Sequence, residues 1–125
     1  MAFEISFNGI NDYATFELGA GIQRGIHEGF PVKVSANKTV SLCNAEDKFS
    51  GVLVTIEKDN TCGVVKETGY ITLPYSGTAP QAGEDRELVA DGNGGVKIPA
   101  TAGTGKLYRI VDVDSTNKTV TLRLG

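Results

Sequence analysis

The residues that could do chemistry in this chain are few and far apart. His27 is the only imidazole, and Glu28 follows it. Nucleophilic catalysis needs a hydroxyl or thiol within hydrogen-bond reach of a base, and no serine or cysteine can be placed beside His27 from the sequence. Cys43 and Cys62 are the only cysteines. Their spacing matches no zinc pattern, and two cysteines make no disulfide framework in a chain expected to be synthesised in a cytosol. Two reduced thiols near strand ends are the expectation. Glu84, Asp85 and Glu87 form an acidic cluster. Paired carboxylates can hydrolyse glycosides, but these share one loop with a counter-ion, Arg86, and read as surface.

Three further stretches imitate known sites. Thr101-Ala-Gly-Thr-Gly-Lys106 looks like a phosphate loop. Ala100 stands where the first glycine belongs, Leu107 replaces the serine or threonine, and a strand pattern follows instead of a helix. Gly19-Ala-Gly-Ile-Gln-Arg-Gly25 has the wrong spacing for a dinucleotide fingerprint. Asp112, Asp114 and Asn117 resemble part of a calcium loop, but its central glycine is missing and Arg123 stands where the last carboxylate belongs. Asn37-Lys-Thr39 and Asn117-Lys-Thr119 match the glycosylation sequon and read as hairpin turns. No catalytic set, cofactor or metal is expected.

The elements that must carry these residues are strands. At 125 residues the chain has the length of one domain, and its 16 glycines call for many tight turns. A net charge of −3 without a dense Lys/Arg cluster gives no footprint for direct nucleic-acid binding. No apolar run reaches the roughly 20 residues of a membrane helix, and Met1-Ala-Phe-Glu-Ile-Ser-Phe7 lacks the basic and apolar regions of a signal peptide.

From Pro31 onwards period-two alternation dominates. Val32 and Val34 lead to a turn at Ala36-Asn-Lys38, where Asn37 suits the left-handed conformation, and Val40 and Leu42 return. Asn44 to Phe49 suits one helical turn capped by Asn44. Val52, Val54 and Ile56 share one strand face. Gly63 to Thr68 and Tyr70 to Tyr75 are two β runs, and a short hairpin closes on Asp91-Gly-Asn-Gly94. Leu107 to Asp114 turns through Ser115 to Lys118 into Thr119 to Leu124, with Val120, Leu122 and Leu124 on one face. Ser35-Ala-Asn-Lys-Thr-Val-Ser-Leu42 echoes Ser115-Thr-Asn-Lys-Thr-Val-Thr-Leu122; a duplicated half-barrel and two hairpins converging on one turn both account for it. About ten short strands of this kind indicate an all-β fold, a small antiparallel β-barrel or sandwich. Val52, Val54, Ile56, Ile110, Val120 and Leu122 are its expected core.

Residues 1–28 differ from the rest. Phe3, Ile5 and Phe7 alternate with Glu4 and Ser6, and Tyr13, Phe16, Leu18 and Ile22 follow among Gly19, Gly21 and Gly25. Glycine disfavours a helix by about 1 kcal/mol relative to alanine. The expectation is an extended N-terminal arm over 1–28 that reaches outward from a β domain over 29–125, with an edge strand at Phe3 to Phe7 as the alternative.

Over residues 29 to 124 the chain resembles the capsid decoration, or cement, proteins of tailed bacteriophages. The likeness is carried by Gly29-Phe-Pro-Val-Lys-Val34, Phe49-Ser-Gly-Val-Leu-Val54 and Gly69-Tyr-Ile-Thr-Leu-Pro-Tyr-Ser-Gly77. It continues through Leu88-Val-Ala-Asp-Gly-Asn-Gly-Gly-Val96, Arg109-Ile-Val-Asp-Val-Asp114 and Thr119-Val-Thr-Leu122. The resemblance implies a β-rich virion protein without enzymatic activity. It implies a protein made in the bacterial host cytoplasm that binds the major capsid protein on the outside of the head, often as a homotrimer. Phe3, Phe7 and Phe16 of the arm, with Tyr75, are the candidate contacts to the capsid or a neighbouring subunit. Another virion subunit, of the tail tube or head–tail connector, is the runner-up. A small-ligand or carbohydrate-binding domain using Tyr70, Tyr75 and Tyr108 is the third reading.

Overall fold

A computed structural model describes residues 12–125, which form an all-β fold of nine strands in one mixed sheet. The strands are β1 (Asp12–Leu18), β2 (Pro31–Ala36), β3 (Thr39–Leu42), β4 (Gly51–Ile56), β5 (Cys62–Pro74), β6 (Gly83–Ala90), β7 (Val96–Lys97), β8 (Lys106–Asp114) and β9 (Thr119–Leu124). The helical turn expected at Asn44 to Phe49 is an irregular turn. Asp47 accepts the Asn44 N–H there, and its own N–H returns to the Asn44 carbonyl.

The long strand β5 organises the molecule. The two runs expected on either side of Gly69 are one strand of 13 residues. Its first half pairs with β4 and β1, and its second half, Gly69 to Pro74, pairs with β9. At the junction Gly69 has φ 115°, a backbone state that a side chain would strain. Each half of β5 belongs to its own ring. In the N-terminal ring the order β1-β3-β2-β4-β5 closes because β1 also pairs with β5. In the C-terminal ring β5 is followed by β9, β8, β6 and β7, and a parallel bridge from Val96 back to Tyr75 completes the circuit.

Two apolar cores follow from this arrangement. The N-terminal ring encloses Ile22, Val32, Val40, Leu53, Ile56 and Val65, with Phe16, Leu18 and Leu42 packed against them. The C-terminal ring is larger and includes Phe49, Leu73, Leu88, Val96, Tyr108, Ile110, Val120, Leu122 and Leu124. Phe49 crosses into it from the β3–β4 connection and stacks on Tyr108 with ring centroids 5.0 Å apart. The Tyr108 hydroxyl donates to the Phe49 carbonyl at 3.0 Å, so the phenol is buried with its polar end satisfied.

Five of the six expected core residues are buried, and Val54 is not. The alternation in β4 breaks because Leu53 pairs with Val65 and Thr55 with Val64, which leaves Val54 as the extra residue of a β-bulge. Leu53 takes the buried place that a straight strand would have given to Val54.

The arm expected over 1–28 is also corrected for its described part. Asp12–Leu18 is a strand of the N-terminal ring, antiparallel to β5 and parallel to β3. Ile22 is buried in that ring's core. The glycines that argued against a helix are compatible with a strand and the irregular segment after it, and the apolar alternation of Ala14, Phe16 and Leu18 faces inward. The edge-strand alternative at Phe3 to Phe7 lies outside the described residues.

The two echoing hairpins sit one in each ring, and the left-handed residue in each turn is the lysine after the asparagine, Lys38 at φ 58° and Lys118 at φ 53°. Their surroundings differ. Strand β3 lies parallel to β1, whereas β9 lies antiparallel to β5. The shared sequence therefore reflects one turn solution used twice, without a matching neighbourhood.

Candidate functional site

Among the described residues the structure does not bring the chemistry-bearing side chains together. His27 accepts the Gln23 N–H through Nδ1 at 2.8 Å and meets the Phe30 ring edge-on. Glu28 accepts the Gly25 N–H, which holds its carboxyl below the ordinary range. Asp114 is occupied by its own hairpin turn, accepting from Thr116 N, Asn117 N and Asn117 Nδ2. No group of three or more histidine, cysteine or acidic side chains among the described residues is placed to hold a metal.

Both thiols are free and half-buried. Burial first, and the nearby Asp47 charge second, push the Cys43 thiol up to about 11, so it is protonated and unreactive near neutrality.

The glycine-rich stretch 101–106 binds an anion after all, but an internal one. Glu87 accepts the N–H groups of Gly103 and Gly105 at 3.1 and 3.0 Å, and Glu46 accepts that of Ala100 at 2.8 Å. Glu46 also pairs with Lys97. These contacts fix the 98–105 loop against β6 and the β3–β4 connection. The acidic cluster is likewise dispersed. Glu84 pairs with Arg109 at 3.0 Å, not with the expected Arg86. Arg86 turns back towards the start of its strand, donating to the carbonyl of Ala82, the residue before β6, at 3.3 Å.

Those tethers frame a groove of about 620 Å³, a size that suits ligand or side-chain capture. The 78–81 loop supplies Pro80, strand β8 supplies Leu107 and Ile110, and the fixed 98–105 loop contributes Ile98. Leu107 is 55% exposed and Ile98 is 42% exposed, so the groove offers aliphatic surface to solvent. Asp85 stands on the rim at φ 53°, in a bulge where β6 and β8 lose register between Gly83 and Arg86. A bulge of this kind re-aims a side chain that a regular strand would place elsewhere.

Sequence reasoning pointed to other contact residues. Phe3 and Phe7 lie outside the described residues. Phe16 packs against the N-terminal core, and Tyr75 is only 6% exposed within the C-terminal core. Tyr108 is buried too, and the groove contains neither an aromatic ring nor an imidazole among its described lining residues. Leu107 is the lining residue with a signal in the sequence. It opens the apolar strand Leu107 to Asp114, but its neighbour Tyr108 takes the inward place. No family model and no curated protein matches this chain.

Proposed function

We propose that this is a structural protein of a tailed-phage virion that binds the outer surface of the capsid and stabilises the head, without catalytic activity. One observation carries the reading beyond the sequence resemblance. Glu46, Glu87 and Asp114 are tied up in loop tethers and a turn, while aliphatic surface at Ile98 and Leu107 is left exposed beside a groove. That combination suits adhesion. The segments that carry the resemblance are also elements of the two rings: β2, β4, the second half of β5, the β6–β7 hairpin and the β8–β9 hairpin. On this reading three copies gather at local three-fold positions of the shell, and modest affinity per copy is amplified by the lattice.

The test is co-sedimentation of purified protein with undecorated capsids across a range of salt. Saturable pelleting supports the proposal, and its absence at every salt concentration overturns it. Assembly of the protein alone into rings or tubes would favour a tail-tube or connector subunit.

A further inference from the structure

We infer that the groove between the 78–81 loop, β8 and the 98–105 loop receives an extended segment of a partner protein, presenting an aliphatic side chain beside a lysine or arginine. The apolar half of this assignment comes from the walls. Pro80 and Ile110 are buried and form a firm base, while Ile98 and Leu107 stand exposed above them. Transferring a partner's aliphatic side chain onto that surface removes apolar area on both sides from water. The walls are also held in place. Glu87 ties down Gly103 and Gly105, and Pro99 is buried at the start of the loop. A preformed receptor surface loses little conformational entropy on binding.

The charged half comes from the rim, where Asp85, Arg86 and Glu87 line the groove. Glu87 is committed to the loop amides, and Arg86 folds back onto the Ala82 carbonyl. Asp85 has no hydrogen-bond or ion-pair partner among the described residues, and its left-handed backbone is uncommon for a residue other than glycine. The loop amides and the Ala82 carbonyl are neutral partners that leave Glu87 and Arg86 charged, so with Asp85 the rim carries one net negative charge. Its one unpartnered carboxylate beside an aliphatic surface complements a cation flanked by apolar side chains.

Backbone addition to the exposed side of β6 is disfavoured. That strand carries Glu84, Asp85, Arg86 and Glu87 in succession and is bulged, both of which blunt a sheet edge against pairing. Recognition through side chains in the groove is what remains. On the reading of the protein as a capsid-decorating subunit, the segment belongs to the shell. The partner's identity rests on that reading, while the chemistry of the groove does not.

Two arms of one experiment separate these layers. In the first, blocked peptides acetyl-Leu-Lys-Leu-amide and acetyl-Leu-Glu-Leu-amide are titrated into the isotope-labelled full chain, and backbone amide shifts are followed. The lysine peptide is expected to give saturable shifts at Ile98, Gly103, Gly105 and Leu107, with at least fivefold tighter binding than the glutamate peptide. Asp85→Asn, which keeps a residue tolerant of the left-handed backbone, should abolish that preference. Leu107→Asn should weaken the lysine peptide at least fivefold. No saturable shifts, shifts centred elsewhere, or equal binding of the two peptides overturns the inference. In the second arm the same variants are sedimented with undecorated capsids. If wild type pellets and both variants pellet equally well, the groove is not the capsid contact and the inference fails while the function stands. If wild type fails to pellet but binds the lysine peptide as described, the function fails and the groove assignment stands.

Discussion

Truncating adjacent residues of β4 tests the bulge that sets the N-terminal core. Leu53→Ala removes three carbons from a side chain that is 0% exposed among Val32, Val40, Ile56 and Val65. At about 0.8 kcal/mol per buried carbon the transfer loss alone is about 2.4 kcal/mol, and the residual cavity raises the expectation to about 3–4 kcal/mol. Val54→Ala removes two methyl groups from a half-buried position, so the same arithmetic halves to about 0.8 kcal/mol. Unfolding entropy of about 2.1 cal/mol/K per residue, taken over 125 residues, gives about 0.26 kcal/mol per degree. Leu53→Ala should therefore lower the melting temperature by about 12 °C or more and Val54→Ala by about 3 °C. Calorimetry of both variants checks this. Equal losses, or a larger loss at Val54, would mean that β4 runs straight and pairs with β5 without the bulge.

Other expectations concern the tethers and turns. Glu46 and Asp47 both have carboxyl pKa values held below the ordinary range, chiefly by hydrogen bonds from Lys97 and Lys33 respectively. Depressed carboxyl values stabilise the fold above the unfolded values near 4.5 and 3.8, and that contribution disappears as pH falls through the lower folded values. Melting temperature should consequently drop as acid is added below about pH 4.5, and Glu46→Gln with Asp47→Asn should flatten that drop; an unchanged profile counts against the tethers. Gly94→Ala should destabilise strongly, because φ is 92° and the added Cβ would lie 2.7 Å from the Phe30 ring; wild-type thermal stability in that variant would show that the β6–β7 turn differs. Cys43 should resist iodoacetamide at pH 8 in the native protein and react on denaturation, as peptide mapping of the two thiols would read out. Rapid native labelling of Cys43 would contradict its burial.

Much of this fold could be read in the sequence wherever strands run straight. Val120, Leu122 and Leu124 alternate on β9 and all are buried as the pattern implies. Reading failed where a backbone irregularity shifts the period by one residue. The β4 bulge exchanged Leu53 for Val54, and nothing in Gly-Val-Leu-Val-Thr-Ile announces it because every candidate is β-branched or aliphatic. Within the expected arm over 1–28, residues 12–22 give no local sign of burial because their apolar partners, Val65 and Val40, lie far along the chain. Their inclusion depends on ring closure, a non-local property. The groove was illegible for a similar reason. It is assembled from the 78–81 loop, β6, the 98–105 loop and β8, and its aliphatic rim depends on Leu107 facing outward beside an inward Tyr108. Glu87 gave no sequence sign that it holds the loop that had resembled a phosphate site.

The proposed adhesion to a capsid is addressed most directly by a sedimentation isotherm with undecorated shells. Wild-type protein titrated onto shells of constant concentration should pellet to a plateau, at a copy number that matches a symmetric class of surface positions. Added salt should shift the curve without removing the plateau, since apolar contact persists when charges are screened. Protein that stays in the supernatant at every concentration and salt level, or pellets in proportion to input without saturating, would contradict the account.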